Sequence, residues 1–217
     1  MPREVKAVKL KGSTVKTNVD VWMPIHRYLE PQTALCLLAM QKYELERGVN
    51  NLNIHFLQGE SLIPRARNTI ANNFLMGSSE WLLMIDADLT FLNDSLSRLL
   101  LTGHKLIGAN YAHKTFPIKM AGVPQDTDLM VSPADFIPTG FMLIHRSVFE
   151  GLIDEVPVYA TSDRDKVQGY FNLYIDNNIY LSEDWSFSKR CKNNGVQGYI
   201  DNSIKIGHIG QRIYLGE

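Results

Sequence analysis

Cysteine is scarce: Cys36 and Cys191 are the two thiols in 217 residues. They lie far apart, each in a helix-like stretch, and neither belongs to a CxxC pair. That argues against a disulfide framework and leaves two buried thiols in a reducing compartment as the expectation. Long hydrophobic runs are missing as well. No apolar stretch approaches the roughly 18–20 residues that cross a bilayer. The N-terminal "MPREVKAVKLKGS" carries basic residues but no apolar h-region. Neither membrane insertion nor a secretory signal is expected, and the expected location is the cytoplasm. Charge of one sign is not in excess either: 22 Lys plus Arg stand against 23 Asp plus Glu, a net charge of -1. Nucleic-acid scaffolds normally carry a basic excess, so nucleic acid is not an expected partner. A local basic pocket for one phosphorylated ligand is compatible with that balance. Internal repeats and low-complexity tracts are absent. The last recognisable stretch, "GHIGQRIYLGE", is compatible with further domains of a longer polypeptide.

Apolar residues make up 45% of the chain, enough for a sizeable core. "TNVDVWMPI" (Thr17–Ile25) reads as a first strand, broken by Pro24. "PQTALCLLAMQKYELERGV" opens on Pro31, carries an apolar face and stops near Gly48, as a helix does. "NLNIHFLQG" alternates like a strand, and "PRARNTIANNFLMGS" follows as a helix with Pro64 at its start. "WLLMI" is short and continuously apolar, the pattern of a strand covered on both faces. "NDSLSRLLLTG" reads as a helix capped by Asn93 or Asp94 and stopped by Gly103, and "KLIGANYA" as a fourth strand. Four strand–helix alternations predict a parallel sheet with helices on both faces. The second half is less regular: "FIPTGFMLIHR" and "GYFNLYID" look like strands, "SEDWSFSKRCKNNG" like a helix, and "GVQGYID" like a last strand. The expected architecture is one α/β domain over residues 1–217. Its first half, about 15–112, is a Rossmann-like, mostly parallel sheet flanked by helices. Its mixed second half, about 113–217, completes the site.

The chemistry concentrates where "WLLMI" runs into "DADLTF". Ligands of open parallel sheets sit beyond the carboxyl ends of the strands, where Asp86 and Asp88 stand. Two residues apart in an extended chain, their side chains point the same way. Two carboxylates on one face repel unless a cation lies between them or one is protonated. Hard oxygens suit Mg²⁺ or Mn²⁺, which keep coordination sites open for phosphate oxygens. A bland role, capping the loop and the next helix, competes with this reading. So does a sharper one: "DADLT" fits the DxDx[TV] signature of haloacid-dehalogenase-like phosphatases, with Asp86 as nucleophile. That motif normally sits on the first strand, and here two strand–helix units precede it. A later GDxxxD acidic pair is also missing. A nucleotidyltransferase would want a Gly-rich basic loop after the first strand, and "MPIHRYLEP" has no glycine.

"PRARN", a helix, "WLLMIDADLTF", "TGFMLIHRSVFE", "SEDWSFSKR" and "GHIG" follow one another in an order that resembles the GT-A nucleotide-sugar glycosyltransferases, over roughly Val19 to Arg212. More narrowly, the chain resembles the capsid-glycosylating glycosyltransferases of chlorella viruses. The resemblance implies a GT-A fold and transfer of a sugar from a nucleotide diphosphate donor to a hydroxyl of a glycan or glycoprotein. The narrower likeness implies a viral capsid glycan as acceptor, a deoxyhexose such as rhamnose, and the host cytoplasm as location. Uracil is the usual base in metal-dependent members, which implies a UDP-sugar, although no residue separates UDP from GDP.

By the same resemblance Asp86, Ala87 and Asp88 form the DxD motif that binds Mn²⁺ or Mg²⁺ across the donor's diphosphate. Asp88 is the more direct ligand, and Asp86 more often reaches the ribose or a metal-bound water. His208 of "GHIG" matches a third metal ligand, and Arg212 is a candidate contact to the diphosphate. Pro24, Ile25 and His26 end the first strand where the family holds base and ribose, with Arg27 beside them. Arg65, Arg67 and Asn68 open the second helix, where basic residues oppose the helix dipole and so suggest an anionic partner. Arg67 is favoured, with Asn68 beside it and Arg65 as second choice, because residues two apart do not share a helix face. Gly140 allows close approach of backbone to the donor sugar or acceptor, or serves a turn after Pro138. Glu183 and Asp184 match the family's ED pair. Asp184 is the preferred catalytic residue and Glu183 the second, taking the proton of the attacking hydroxyl in inverting members or orienting sugar or acceptor in retaining ones; as first-turn acids after Ser182 they would also need no function. Trp185 is a candidate to stack on a sugar but more at home in the core. His113, Lys114 and the polar loop from Asp163 to Lys166 are weaker candidates to meet the acceptor.

Overall fold

The computed structural model describes residues 17–48, 50–162, 164–210 and 213–215. Its first half is built as the sequence pattern dictates. β1 (Thr17–Ile25) leads to α1 (Pro31–Arg47), β2 (Asn50–Gln58) to α2 (Ile63–Met76), and β3 (Trp81–Ile85) through the two-residue β4 (Leu89–Thr90) to α3 (Ser95–Leu101) and β5 (Leu106–Ala109). Pro31 pre-sets the first turn of α1. Gly48 ends it in the left-handed region (φ 64°), its N–H donating to the carbonyls of Glu44 and Leu45. α1 buries Thr33, Leu37, Met40 and Glu44, one face at helical spacing. The buried Glu44 carboxylate is tolerated because it accepts from Asn50 Nδ2 at 2.6 Å and Ser97 Oγ at 2.7 Å.

The second half supplies β6 (Val123–Pro124), β7 (Val131–Phe136), β8 (Phe141–His145), α4 (Arg146–Leu152), β9 (Val158–Thr161), β10 (Arg164–Gln168), β11 (Tyr174–Asp176), β12 (Ile179–Leu181), α5 (Glu183–Asn193), β13 (Gly198–Asp201), β14 (Gly207–Ile209) and β15 (Ile213–Leu215). The main sheet has eight strands in the order β2-β1-β3-β8-β5-β13-β7-β6. β1 pairs in parallel with β2 and β3, and β13 in parallel with β5; β8 and β7 run against their neighbours. The result is the expected α/β class with a mostly parallel sheet, and strands of both halves share it. The fourth parallel strand, β5, does not sit beside β3, because β8 is inserted between them. "FMLIH" is apolar enough to be covered on both faces, so it fills the centre of the sheet.

Two apolar layers cover the sheet. Leu83 and Ile85 of β3, with Phe141 and Leu143 of β8, pack toward α1 and α3. Leu82, Met84, Met142 and Ile144 pack toward α2, α4 and α5. Alternation along these two strands divides the core, and each such buried side chain contributes on the order of 1.5–3 kcal/mol. Arg146 closes the α2 end of the second layer. Its guanidinium donates to the carbonyls of Phe74, Leu75, Gly77 and Ser79 at 2.8–3.1 Å, satisfying groups the helix terminus leaves open.

β7 and α4 have no counterpart among the elements read from sequence. "GYFNLYID" divides: Tyr170 and Phe171 are consecutive yet both fully buried, so that part is a packed loop rather than a strand. "GVQGYID" forms β13 but is not the last strand. β14 pairs with β4 and β15, folding the late segment back against the turn after β3. Cys36 is half-buried and Cys191 buried, both as free thiols. Among the described residues no helix is long and apolar enough to cross a membrane.

Candidate active site

A cavity of about 740 Å³ opens beyond the carboxyl ends of β1 and β3. The turn Asp86–Ala87–Asp88 forms one wall and is pinned from three directions. The Asp86 N–H donates to the Gly140 carbonyl at 2.9 Å, the Ala87 carbonyl accepts from the Glu30 N–H at 2.9 Å, and the Asp88 carbonyl accepts from the Ile209 N–H at 2.8 Å. Asp86 and Asp88 are not in an extended chain, so strand alternation does not set their directions. Each carboxylate meets its own cations.

Asp86 turns to Arg67. This guanidinium is 2% exposed and donates from Nη2 to Asp86 Oδ1 at 2.9 Å, with Nε 3.5 Å from Glu183 Oε1. Burial disfavours the charged arginine, but the two carboxylates outweigh that and push its pKa further up. Glu183 is raised, chiefly by burial, with Arg67 opposing the shift. Tyr111 is also raised, first by burial and then by the Asp86 charge; its hydroxyl accepts the Gly140 N–H at 3.2 Å.

Asp88 meets Lys114 and His208. The Lys114 ammonium pairs with Asp88 Oδ2, and His208 Nε2 lies 3.5 Å from Oδ1. Burial raises the Asp88 pKa, but these two partners reverse the effect and hold it below the usual carboxylate range. His208 Nδ1 is 2.8 Å from the Ala112 carbonyl, which can only accept, so Nδ1 carries a proton and the ring is oriented with Nε2 toward Asp88. A carboxylate oxygen and an oriented imidazole nitrogen facing each other fit an open divalent-cation site. Among the described residues no three His, Cys, Asp or Glu side chains group as a closed cage.

Glu183 and Asp184 open α5 on the far wall. Asp184 Oδ1 accepts from Ser182 Oγ and from the Trp185 N–H at 2.8 Å. Ser182 occupies the N-cap position without a side-chain capping bond, and its hydroxyl is given to Asp184 instead. Trp185 stacks on Phe136, with ring centroids 3.8 Å apart.

The cavity thus gathers Pro24, His26, Arg67, Asp86, Ala87, Asp88, Glu183 and Asp184 from the sequence-derived set. Ile25 points into the core. Asn68 is fully buried away from the cavity, where its amide donates to Asn172 Oδ1 and Tyr159 Oη and accepts the Phe171 N–H at 2.7 Å, clamping the packed loop. Arg65 pairs with Glu60 and lines a separate cavity beside β9 and β10. Arg212 and Asp163 lie outside the described residues. Lys114, read as an acceptor contact, is on Asp88. Tyr28, Glu30, Ile63 and Tyr111 also line the cavity and were not site candidates, nor was Thr139, which opens "TGFMLIHRSVFE". Two of them have a legible local position: Glu30 at the N-cap of α1 before Pro31, and Ile63 at the start of α2 before Pro64.

Gly140 is where backbone approach matters. A Cβ there would stand 2.5 Å from Tyr111 Oη and 2.7 Å from Asp86 Oδ2. Gly140→Ala is expected to cost about 1–3 kcal/mol, measured by urea unfolding, because the Tyr111 hydroxyl is held on the Gly140 N–H and Asp86 is tied to the buried Arg67, so neither yields freely.

No protein-family model matches the chain, and no curated protein matches it in sequence. Solved structures do match. GalNAc-T7, crystallised with UDP, GalNAc and Mn²⁺, aligns over 92% of this chain and 45% of its own, with a TM-score of 0.51 and 11% identity. S. aureus TarS 1-349 in complex with UDP-GlcNAc aligns over 86% of this chain and 56% of its own, with a TM-score of 0.48 and 14% identity. A glycosyltransferase involved in glycosylation of the major capsid of PBCV-1 aligns over 61% and 62%, with a TM-score of 0.34 and 13% identity. The chain spans about half the length of the first two. Likeness at such identities is one of fold, and the alignment with GalNAc-T7 supports that fold: the chain is folded as a GT-A glycosyltransferase.

Proposed function

We propose that the chain is a metal-dependent glycosyltransferase, moving one sugar from a UDP-sugar to a hydroxyl of a glycan or glycoprotein. The observation that carries the reading is the cavity of about 740 Å³. Its pinned two-carboxylate turn faces a buried arginine and a pair of helix-borne acids. Such a volume, with a few convergent polar groups, suits a ligand of nucleotide size. The narrower reading is a viral capsid glycan as acceptor, reached in the host cytoplasm by a domain of a longer polypeptide.

Asp88 and His208 would hold Mn²⁺ or Mg²⁺, and the nitrogen donor favours Mn²⁺. Bound there, the ion would supply Lewis-acid stabilisation of the charge that gathers on the departing diphosphate. Arg67 restrains Asp86 and Glu183 so that neither carboxylate swings across the cavity. Pro24, His26 and Ala87 form the wall for base and ribose. Asp184 is the better base for the acceptor hydroxyl. Its neighbour Glu183 is committed to Arg67, whereas Asp184 has no ion-pair partner among the described residues. In an inverting reaction it takes the hydroxyl proton; in a retaining one it orients sugar or acceptor.

Asp184→Asn is expected to leave the donor dissociation constant unchanged and to lower kcat about 10²–10⁴-fold; full turnover would remove it from the mechanism. The reading as a whole is tested by incubating the chain with Mn²⁺ and UDP-, GDP-, dTDP- or CMP-sugars and measuring free nucleotide. UDP release supports it. In parallel incubations, inorganic phosphate released from a sugar phosphate would point to a phosphatase using Asp86, and pyrophosphate released from UTP plus a sugar 1-phosphate to a nucleotidyltransferase.

A further inference from the structure

The cation that meets Asp88 in this structure is part of the chain itself. Lys114 sits on a hairpin closed by the Ala121 N–H to the Tyr111 carbonyl at 2.9 Å and the His113 N–H to the Lys119 carbonyl at 2.8 Å. The tip is not packed: Phe116 is 85% exposed and Ile118 52%. Beyond its backbone ladder and the Tyr111 hydroxyl at its base, which accepts the Gly140 N–H, the hairpin touches the rest of the site through two polar contacts. The Ala112 carbonyl accepts a hydrogen bond from His208 Nδ1, and the Lys114 ammonium sits on Asp88 Oδ2. One short hairpin therefore orients one candidate metal donor and covers the other.

A divalent ion coordinated by the same carboxylate would lie within a few ångström of the ammonium. Like charges that close repel, and one carboxylate does not neutralise both. We infer that Lys114 is an internal competitor for the metal: ammonium and divalent ion hold Asp88 in turn, and metal entry lifts the tip of the hairpin. The inference rests on the reading that Asp88 and His208 bind a divalent ion. It adds that the apparent metal affinity is set by the fraction of molecules in which Lys114 has left Asp88.

The test is a titration of the whole chain with Mn²⁺ alone, free ion being read by electron paramagnetic resonance. Amide hydrogen exchange over residues 111–121 is followed in parallel. Lys114→Met is expected to tighten Mn²⁺ binding about tenfold. Lys114→Arg, which keeps the charge, should stay within about twofold of the parent. Lys119→Met removes a charge from the same hairpin but not from Asp88 and should also stay within about twofold, separating direct competition from a general field effect. Exchange at the tip should quicken when Mn²⁺ is added to the parent protein and should already be fast, with no further response, in Lys114→Met. Asp88-dependent binding that is unchanged or weaker in Lys114→Met would overturn the inference alone. Binding that is the same in the parent and in Asp88→Asn would overturn the metal reading of the site with it.

Discussion

Asp88→Ala is expected to abolish metal-dependent UDP binding and to lower turnover by about three orders of magnitude. Among the described residues, Asp88 is the carboxylate that meets both an oriented imidazole and a lysine ammonium. Stabilisation of the departing diphosphate by a bound ion is worth several kcal/mol, and each 1.36 kcal/mol is about a factor of ten in rate. Isothermal titration with UDP, with and without Mn²⁺, reads the binding loss directly. The fold should be unaffected, since the Asp88 side chain is a third exposed and the turn is held by its backbone. Unchanged UDP affinity would remove Asp88 from the donor site. His208→Ala is the milder companion. It should weaken Mn²⁺ affinity about 10–100-fold, and no change would leave the ring a structural role against the Ala112 carbonyl.

Replacement of Arg67 by methionine should be the most damaging change to stability. Methionine keeps much of the aliphatic stem but leaves the partly buried Asp86 and Glu183 without their shared countercharge. Removing one member of a buried ion pair costs about 3–5 kcal/mol, and the residual exposure of Asp86 and Glu183 places this case at the lower end. A loss of about 3 kcal/mol in a chain of this size lowers Tm by roughly 6–12 °C. Calorimetry of Arg67→Met and of the triple variant with Asp86→Asn and Glu183→Gln checks the cause. The triple variant should recover part of the loss, because it removes the stranded charges. An equal or larger loss in the triple variant would show that Arg67 acts through packing instead.

Both predictions join residues that the sequence presents separately, and the reason is physical. Strand–helix alternation, the Pro31 start, the Gly48 stop and the apolar run of β3 depend on contacts within a few residues, so they can be read from one dimension. Asn68 shows where such reading ends. Its place beside Arg67 suggested a ligand contact, but consecutive helical residues lie about a third of a turn apart. One faces the cavity and the other the packed loop around Phe171. Lys114 is the converse case. In sequence it is only a weak candidate to meet the acceptor; the hairpin places its ammonium on a carboxylate 26 residues earlier.

The amino-acid sequence by itself determined an α/β chain with two carboxylates at the end of its third strand, because burial periodicity and helix punctuation are local properties. Tertiary structure alone decided what those carboxylates meet. The insertion of β8 beside β3 carries Gly140 to the Asp86 backbone. Packing of α2 near α5 gives Asp86 an arginine shared with Glu183. The pairing of β14 with β4 sets His208 against Asp88. These are contacts between segments up to about half the chain apart. Such contacts are fixed by which apolar faces can be buried together, and no short window of sequence contains that information.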